Sequence, residues 1–289
     1  MDIFMGLLAA VCWGATDFLV GMNAKAVGVR QAVVFGQIVG LLLMISIIGL
    51  SDEQLDKLVA AEFDTYLLSG LSALLMLGGA LSLSKAFAIG TTAVVAPLVS
   101  SYSIVTTVLA WLGGDMLSTW QVAGLLICFV GVMLASRAHR RSVGPDKMNN
   151  SMSVGFALLA ALLYGVTFWI QGKYILPTIG PVNMLAVAYA IGLLFLMREA
   201  SRLLRSWAVI RLKTFASLCG ASLFNLGGSS AFSLGVLGGS ISVVTVISTL
   251  SGAVAAALGY LFLHERLSLT QLCGVMMVLM GAVLLHVYG

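Results

Sequence analysis

Residues 115–131 read DMLSTWQVAGLLICFVG and residues 265–281 read ERLSLTQLCGVMMVLMG. Asp115 falls opposite Glu265, Leu117 opposite Leu267, Ser118 opposite Ser268, Gln121 opposite Gln271, Gly124 opposite Gly274 and Gly131 opposite Gly281, all at an offset of 150. Agreement of charged, polar, apolar and glycine positions over that length marks an internal duplication. Toward the N-terminus, Trp13-Gly14 in VCWGATDF lies opposite Tyr164-Gly165 in LLYGVTFW at an offset of 151. The chain is therefore two copies of one unit: residues 1–138, a linker at 139–152, and residues 153–289.

Composition sets the medium in which the unit folds. Of 289 residues 60% are hydrophobic and 9% charged, with a mean hydropathy of +1.08, whereas a soluble domain carries about 25% charged residues. A hydrocarbon core of about 30 Å needs roughly 20 apolar residues of helix. Runs of that kind lie at 3–23, 30–50, 65–86, 92–112 and 118–136, and again at 153–173, 181–197, 214–235, 240–262 and 269–287. They lack the dyad alternation of a barrel, so they are expected to be ten transmembrane helices of an all-α membrane protein. Five helices per unit reverse the polarity of the second copy and predict two inverted five-helix repeats about an axis in the membrane plane.

The first run begins with Asp2 and carries Trp13 and Asp17, which favours a retained first helix over a cleaved signal peptide. Cys12, Cys128, Cys219 and Cys273 sit inside the runs without a Cys-x-x-Cys pair and read as small packing residues. Counted by alternate connections, one side collects Lys25, Arg30, Lys85, Arg137, Arg140, Arg141, Lys147, Arg198, Arg202, Arg205, Arg211, Lys213 and Arg266, and the other only Lys57 and Lys173. The positive-inside rule then puts both termini outside the cytoplasm of an inner (plasma) membrane. The net charge of +4 and pI of about 9.0 describe a cytoplasmic membrane surface, not a nucleic-acid site.

The connections are too short for a soluble domain. The longest basic one, SRAHRRSVGPDKMNNS at 136–151, has the Gly-Pro and Asn-Asn character of a linker. In SDEQLDKLVAAEFD at 51–64, Ser51 and Gln54 have capping-box spacing and Leu55, Leu58, Val59 and Phe63 share a helical face, which predicts an amphipathic helix lying on the outer surface. No G-x-x-x-x-G-K-[ST] segment is present, which excludes a P-loop ATP-driven pump. His139, His264 and His286 are isolated and lie at or beyond span ends, without metal-ligand spacing. No nucleophile elbow, triad or carboxylate pair offers enzymatic chemistry, so neither an enzyme nor a cofactor is expected.

The Trp-Gly of VCWGATDF, the GTTAVVAPLVS opening of the fourth run and the HERLSLTQLCG join between the ninth and tenth resemble the twin domains of the drug/metabolite transporter superfamily, EamA type. The resemblance covers nearly the whole chain in both copies. It implies export of amino acids and other small metabolites, with aromatic amino acid exporters the nearest in kind. Two departures stand out. Thr16-Asp17-Phe18 puts a carboxylate where the family commonly has a small polar pair before Phe. Pro97 faces Ile247 in the second copy, so the fourth helix is expected to bend, and to act in gating, while the ninth need not.

Asp17 is the acidic residue deepest in a span, roughly 21 Å along its helix at about 1.5 Å per residue. A carboxylate at such depth costs about 2.5 to 3.5 kcal/mol on insertion scales. It is expected to bind a substrate ammonium, titrate a proton, pair with a neighbouring helix, or face cytoplasmic water. Trp13 lies one turn earlier on the same face, placing an aromatic plate beside the anion. In the second copy Tyr164, Phe168 and Gln171 share the matching face, with Phe168 where the first copy has Asp17. Gln37, Tyr102, Asn225 and Ser229 are further polar groups that hydrocarbon does not accommodate, and they are expected to face the bundle interior, as packing or as substrate contacts. Gly78-Gly79, Gly227-Gly228 and Gly238-Gly239 are expected at helix contacts or helix ends, as close-packing residues or, at a minority, as hinges. These features together predict a secondary transporter exporting amino acids or related small metabolites by alternating access, down the substrate gradient or in exchange for protons. A multidrug or nucleoside-type exporter is the neighbouring alternative, and a non-transporting receptor or assembly subunit the alternative of another class.

Overall fold

The computed structural model describes residues 2–114, 118–137, 145–206, 211–238, 241–263 and 269–287, and these are almost entirely helical. The first repeat contains α1 (Asp2–Val27), α2 (Val29–Gly49), a short surface helix α3 (Asp52–Val59), α4 (Phe63–Ile89), α5 (Thr92–Val99), α6 (Tyr102–Leu112) and α7 (Thr119–Arg137). The second contains α8 (Pro145–Ile170), a π-helical turn (Gln171–Ile175), α9 (Leu176–Phe195), α10 (Met197–Ser206), α11 (Leu212–Gly238), α12 (Ile241–Ser248), α13 (Ser251–Leu263) and α14 (Leu269–Val287). Five stretches of the described residues are long and apolar enough to cross a membrane: Ile3–Val27, Val29–Gly49, Phe63–Ile89, Val94–Leu112 and Ser151–Phe195. Gly28 separates α1 from α2 at φ 91°, a conformation that costs glycine nothing sterically.

Each repeat contains one interrupted helix. Between α5 and α6 the Ser101 N–H bonds back to Leu98 O at 3.2 Å, and between α12 and α13 the Leu250 N–H bonds to Ile247 O at 3.1 Å. The interruption therefore occurs in the second repeat, which has Ile247 in place of Pro97, as well as in the first. The cause common to both is hydroxyl chemistry. Ser101 Oγ donates to Leu98 O at 2.7 Å and Ser248 Oγ to Thr245 O at 2.7 Å, and such back-bonding bends helices without proline.

The two repeats interleave. α1 packs on α11 as α8 packs on α4, α1 meets α13 as α8 meets α6, and α2 and α9 pair with each other. α7 lies along α14. The four glycines matched between these two helices, Gly124, Gly131, Gly274 and Gly281, are all buried, which lets two backbones approach closely.

The structure departs from the sequence reading in several places. α3 ends at Val59 and Phe63 opens α4, so Phe63 does not share a face with Leu55 and Val59, although all three are exposed. α8 starts at Pro145, within the stretch read as linker, because proline suits a first helical turn, where no N–H is needed. No loop separates α8 from α9; the helical path continues through the π-helical turn and is broken by a kink at Gly180, φ 74°. α10, MREASRLLRS, is a basic helix among residues read only as a connection. Asp115 to Leu117, residues 138–144, Gly239 and the His264–Ser268 join, with His139, Glu265 and Arg266, lie outside the described residues, as does His286's side chain.

Candidate functional site

Two of the three glycine pairs create the site, whereas Gly238, at the end of α11, meets nothing within 4 Å. A Cβ built on Gly79 of α4 would come within 2.6 Å of Tyr164 Cε1, and one on Gly228 of α11 within 2.6 Å of Trp13 Nε1. Their neighbours behave alike: Gly78 faces Leu163, and Gly227 faces Cys12. α4 and α11 thus each receive, on a Gly-Gly step, the aromatic ring from the first helix of the other repeat. The glycine after each ring completes the arrangement. A Cβ on Gly14 would sit 2.8 Å from Ser251 O, and one on Gly165 would sit 2.7 Å from Tyr102 O. α1 and α8 therefore touch the backbone just past the break of the opposing interrupted helix. Thr106 Oγ1 reinforces one such contact by donating to Gly165 O at 3.1 Å.

Trp13 and Tyr164 converge on Phe168. The Trp13–Phe168 centroids are 5.4 Å apart at an interplanar angle of 26°, and the Tyr164–Phe168 centroids 6.0 Å apart at 27°. Tyr102 and Phe232 close the cluster at 5.0 and 4.9 Å from Phe168. Offset-stacked and tilted pairs of this kind each add about 0.5 to 1.5 kcal/mol beyond the area they bury. The cluster floors a central cavity of about 1030 Å³ of space between atoms, part of it open to solvent.

Eight of the side chains singled out in the sequence line this one cavity. α1 contributes Trp13 and Asp17, α2 contributes Gln37, and Tyr102 projects from the start of α6. α8 supplies Tyr164 and Phe168, and α11 supplies Asn225 and Ser229. Pro97 is not among the lining residues; it packs at the break of α5, where a Cβ on Gly252 would be 3.0 Å from its Cα. Gln171, expected on the same face as Tyr164, lies instead in the π-helical turn, buried away from the cavity.

Asp17 is 9% exposed and lies within electrostatic reach of the Tyr102 and Tyr164 hydroxyls. Sequence reasoning passed over Tyr189, whose hydroxyl accepts from Asn225 Nδ2 at 3.5 Å and whose ring lies over Gly40. It also passed over Asn23, buried and lining the cavity, with Nδ2 unpartnered. Both are polar groups inside apolar runs, the same signal that exposed Gln37.

The cavity is displaced toward one end of the bundle. Along α1 its lining runs from Trp13 to Asn23, two residues short of Lys25; along α2 it starts at Ala32, two residues beyond Arg30. In α4 it reaches Ser84, beside Lys85. Toward the other end the bundle is filled: Ala9 of α1 and Met44 of α2 join Ile175, Ile179 and Val236 in one buried apolar cluster. At that filled end Lys173 Nζ donates to Gly113 O at 2.9 Å, tying the π-helical turn to the end of α6. At the basic end Arg30 pairs with Glu199 at 2.8 Å, tying α2 to α10. That guanidinium holds the Glu199 carboxyl below the ordinary glutamate range.

Apolar helices of spanning length, a duplicated and interleaved topology and a central cavity lined by aromatic, apolar and a few polar side chains define a multi-pass membrane protein organised around one internal chamber. The chain belongs to the EamA-like transporter family, whose model matches residues 1–137 and again 151–287. No curated protein sequence matches. Among 22 solved chains that do match, a structure described as "Crystal structure of protein" superposes with a TM-score of 0.67 over 98% of this chain and 95% of that one, at 15% identity. That likeness concerns the fold alone.

Proposed function

We propose that this chain is a secondary transporter that exports amino acids or related small metabolites from the cytoplasm by alternating access, with the central cavity as the substrate site. One observation carries the reading: Trp13 and Tyr164, matched between the repeats, enter the same cavity from opposite halves. A chamber walled by both repeats changes its access when one half rocks against the other. Its aromatic floor suits an amphipathic body, in keeping with the likeness to aromatic amino acid exporters. The ten-span, inverted topology belongs to this proposal, with each interrupted helix counted as one span and both termini outside the cytoplasm. In that orientation the cavity lies on the cytoplasmic side and the filled end is the closed outer gate, fastened by Lys173. Bending at Pro97 belongs to the gating motion.

Trp13→Ala and Tyr164→Ala test the site. Each variant, purified and reconstituted, is expected to lose apparent substrate affinity while remaining folded and monodisperse, its melting temperature lowered by the lost ring contacts. Unchanged affinity in both variants contradicts the reading.

A further inference from the structure

The wall of the cavity holds one acidic side chain and no basic one. Among the described residues Asp17 is the only acidic group in the lining, no Lys, Arg or His contributes to it, and no ion pair to Asp17 is formed. The other polar groups there, among them Asn23, Gln37, Ser84 and Asn225, are neutral. The backbone at the two breaks supplies little for an anion either. The N–H groups of Ser101, Leu250, Gly252 and Ala253 are all bonded to carbonyl oxygens.

These observations separate two kinds of cargo. A zwitterion would bring a carboxylate into a chamber that offers it no cation, and a buried unpaired charge is strongly disfavoured. An ammonium would instead meet Asp17, and a charge-assisted bond is about twice as strong as a neutral one. One turn from Asp17 on α1, the Trp13 ring with Phe168 and Tyr164 beyond it provides aromatic faces, which attract cations and bury an apolar body. Building on the transporter reading, we infer that the cavity selects a monovalent organic amine with an aromatic or apolar body over the zwitterionic amino acid carrying the same body.

The test titrates the purified full chain in detergent, by calorimetry at neutral pH, with tryptamine, tryptophan and indole-3-propionate, which share one ring system and differ in charge. Tryptamine is expected to bind at least about tenfold more tightly than tryptophan, and the propionate weakest of the three. Asp17→Asn should bring tryptamine and tryptophan to within about twofold of each other, since the carboxyl group that pairs with the ammonium is gone. Equal or tighter binding of tryptophan to the wild type overturns the inference, as does binding of none of the three. A tryptamine preference that survives in folded Asp17→Asn overturns it too. If that variant does not fold, the wild-type ratio decides. Liposome counterflow with the same compounds separates the two levels. Exchange of tryptophan without preference for tryptamine leaves transport standing and removes amine selection. Tight tryptamine binding without exchange of any compound removes transport and leaves amine selection standing.

Discussion

The phenol oxygen of Tyr102, at the first residue of α6, lies 2.7 Å from Ser248 Oγ, at the last residue of α12. The two interrupted helices are thus tied together at their breaks, beside the cavity, by one hydroxyl from each repeat. Loss of one partner should cost about 0.5 to 1.5 kcal/mol. Tyr102→Phe and Ser248→Ala are each expected to lower the melting temperature of the purified protein. The double variant should be no less stable than the weaker single, since either change removes the same bond. Additive losses would show that the pair is not coupled.

Gly14 and Gly165 have no room for a side chain against Ser251 O and Tyr102 O. Replacement of either by valine should force α1 or α8 away from the opposing break and collapse the yield of monodisperse protein in size-exclusion chromatography. Gly155, where a Cβ would meet nothing within 4 Å, should accept valine with little change. Equal yields from all three variants would contradict the packing described for the breaks.

The distribution of basic residues, together with α3 and its exposed Leu55 and Val59, predicts that both termini and α3 are extracytoplasmic. A reporter fused after Gly289 should report the outer compartment. A cytoplasmic signal would reverse the assignment of the cavity's open end.

Glu199 titrates below its ordinary value of 4.5 because of the Arg30 hydrogen bond. A depressed carboxylate adds stability above the unfolded-state value and loses it as pH falls through the folded one. The melting temperature of the wild type should exceed that of Glu199→Gln above about pH 4.5, and the gap should close on further acidification. A gap independent of pH would assign Glu199 a packing role instead.

The sequence revealed the duplication, the helical runs and the cavity aromatics because all three rest on spacing. Trp13 and Tyr164 could be paired from an offset of 151, and Asp17 and Gln37 stood out as polar groups in apolar runs. The second break was hidden because it arises from a seryl hydroxyl turned back on Thr245 O, chemistry that leaves no proline to read. Phe232 closes the aromatic cluster but looks like any lipid-facing phenylalanine in its run. Phe63 was misplaced because helical periodicity continues across residues 60–62, where the chain changes direction between α3 and α4.

Counterflow in liposomes containing only the purified chain measures the central claim most directly, with the wild type set beside two variants on one helix. Asn225→Phe fills the cavity from α11, whereas Leu223→Phe enlarges an exposed residue on that helix, 57% accessible and absent from the cavity lining. The wild type and Leu223→Phe should exchange a labelled amine or amino acid, while Asn225→Phe, at a similar melting temperature, should lose most of that exchange. Exchange by Asn225→Phe at the wild-type rate, or no exchange by the wild type across a panel of amines and amino acids, would contradict the assignment of this cavity as a transport site.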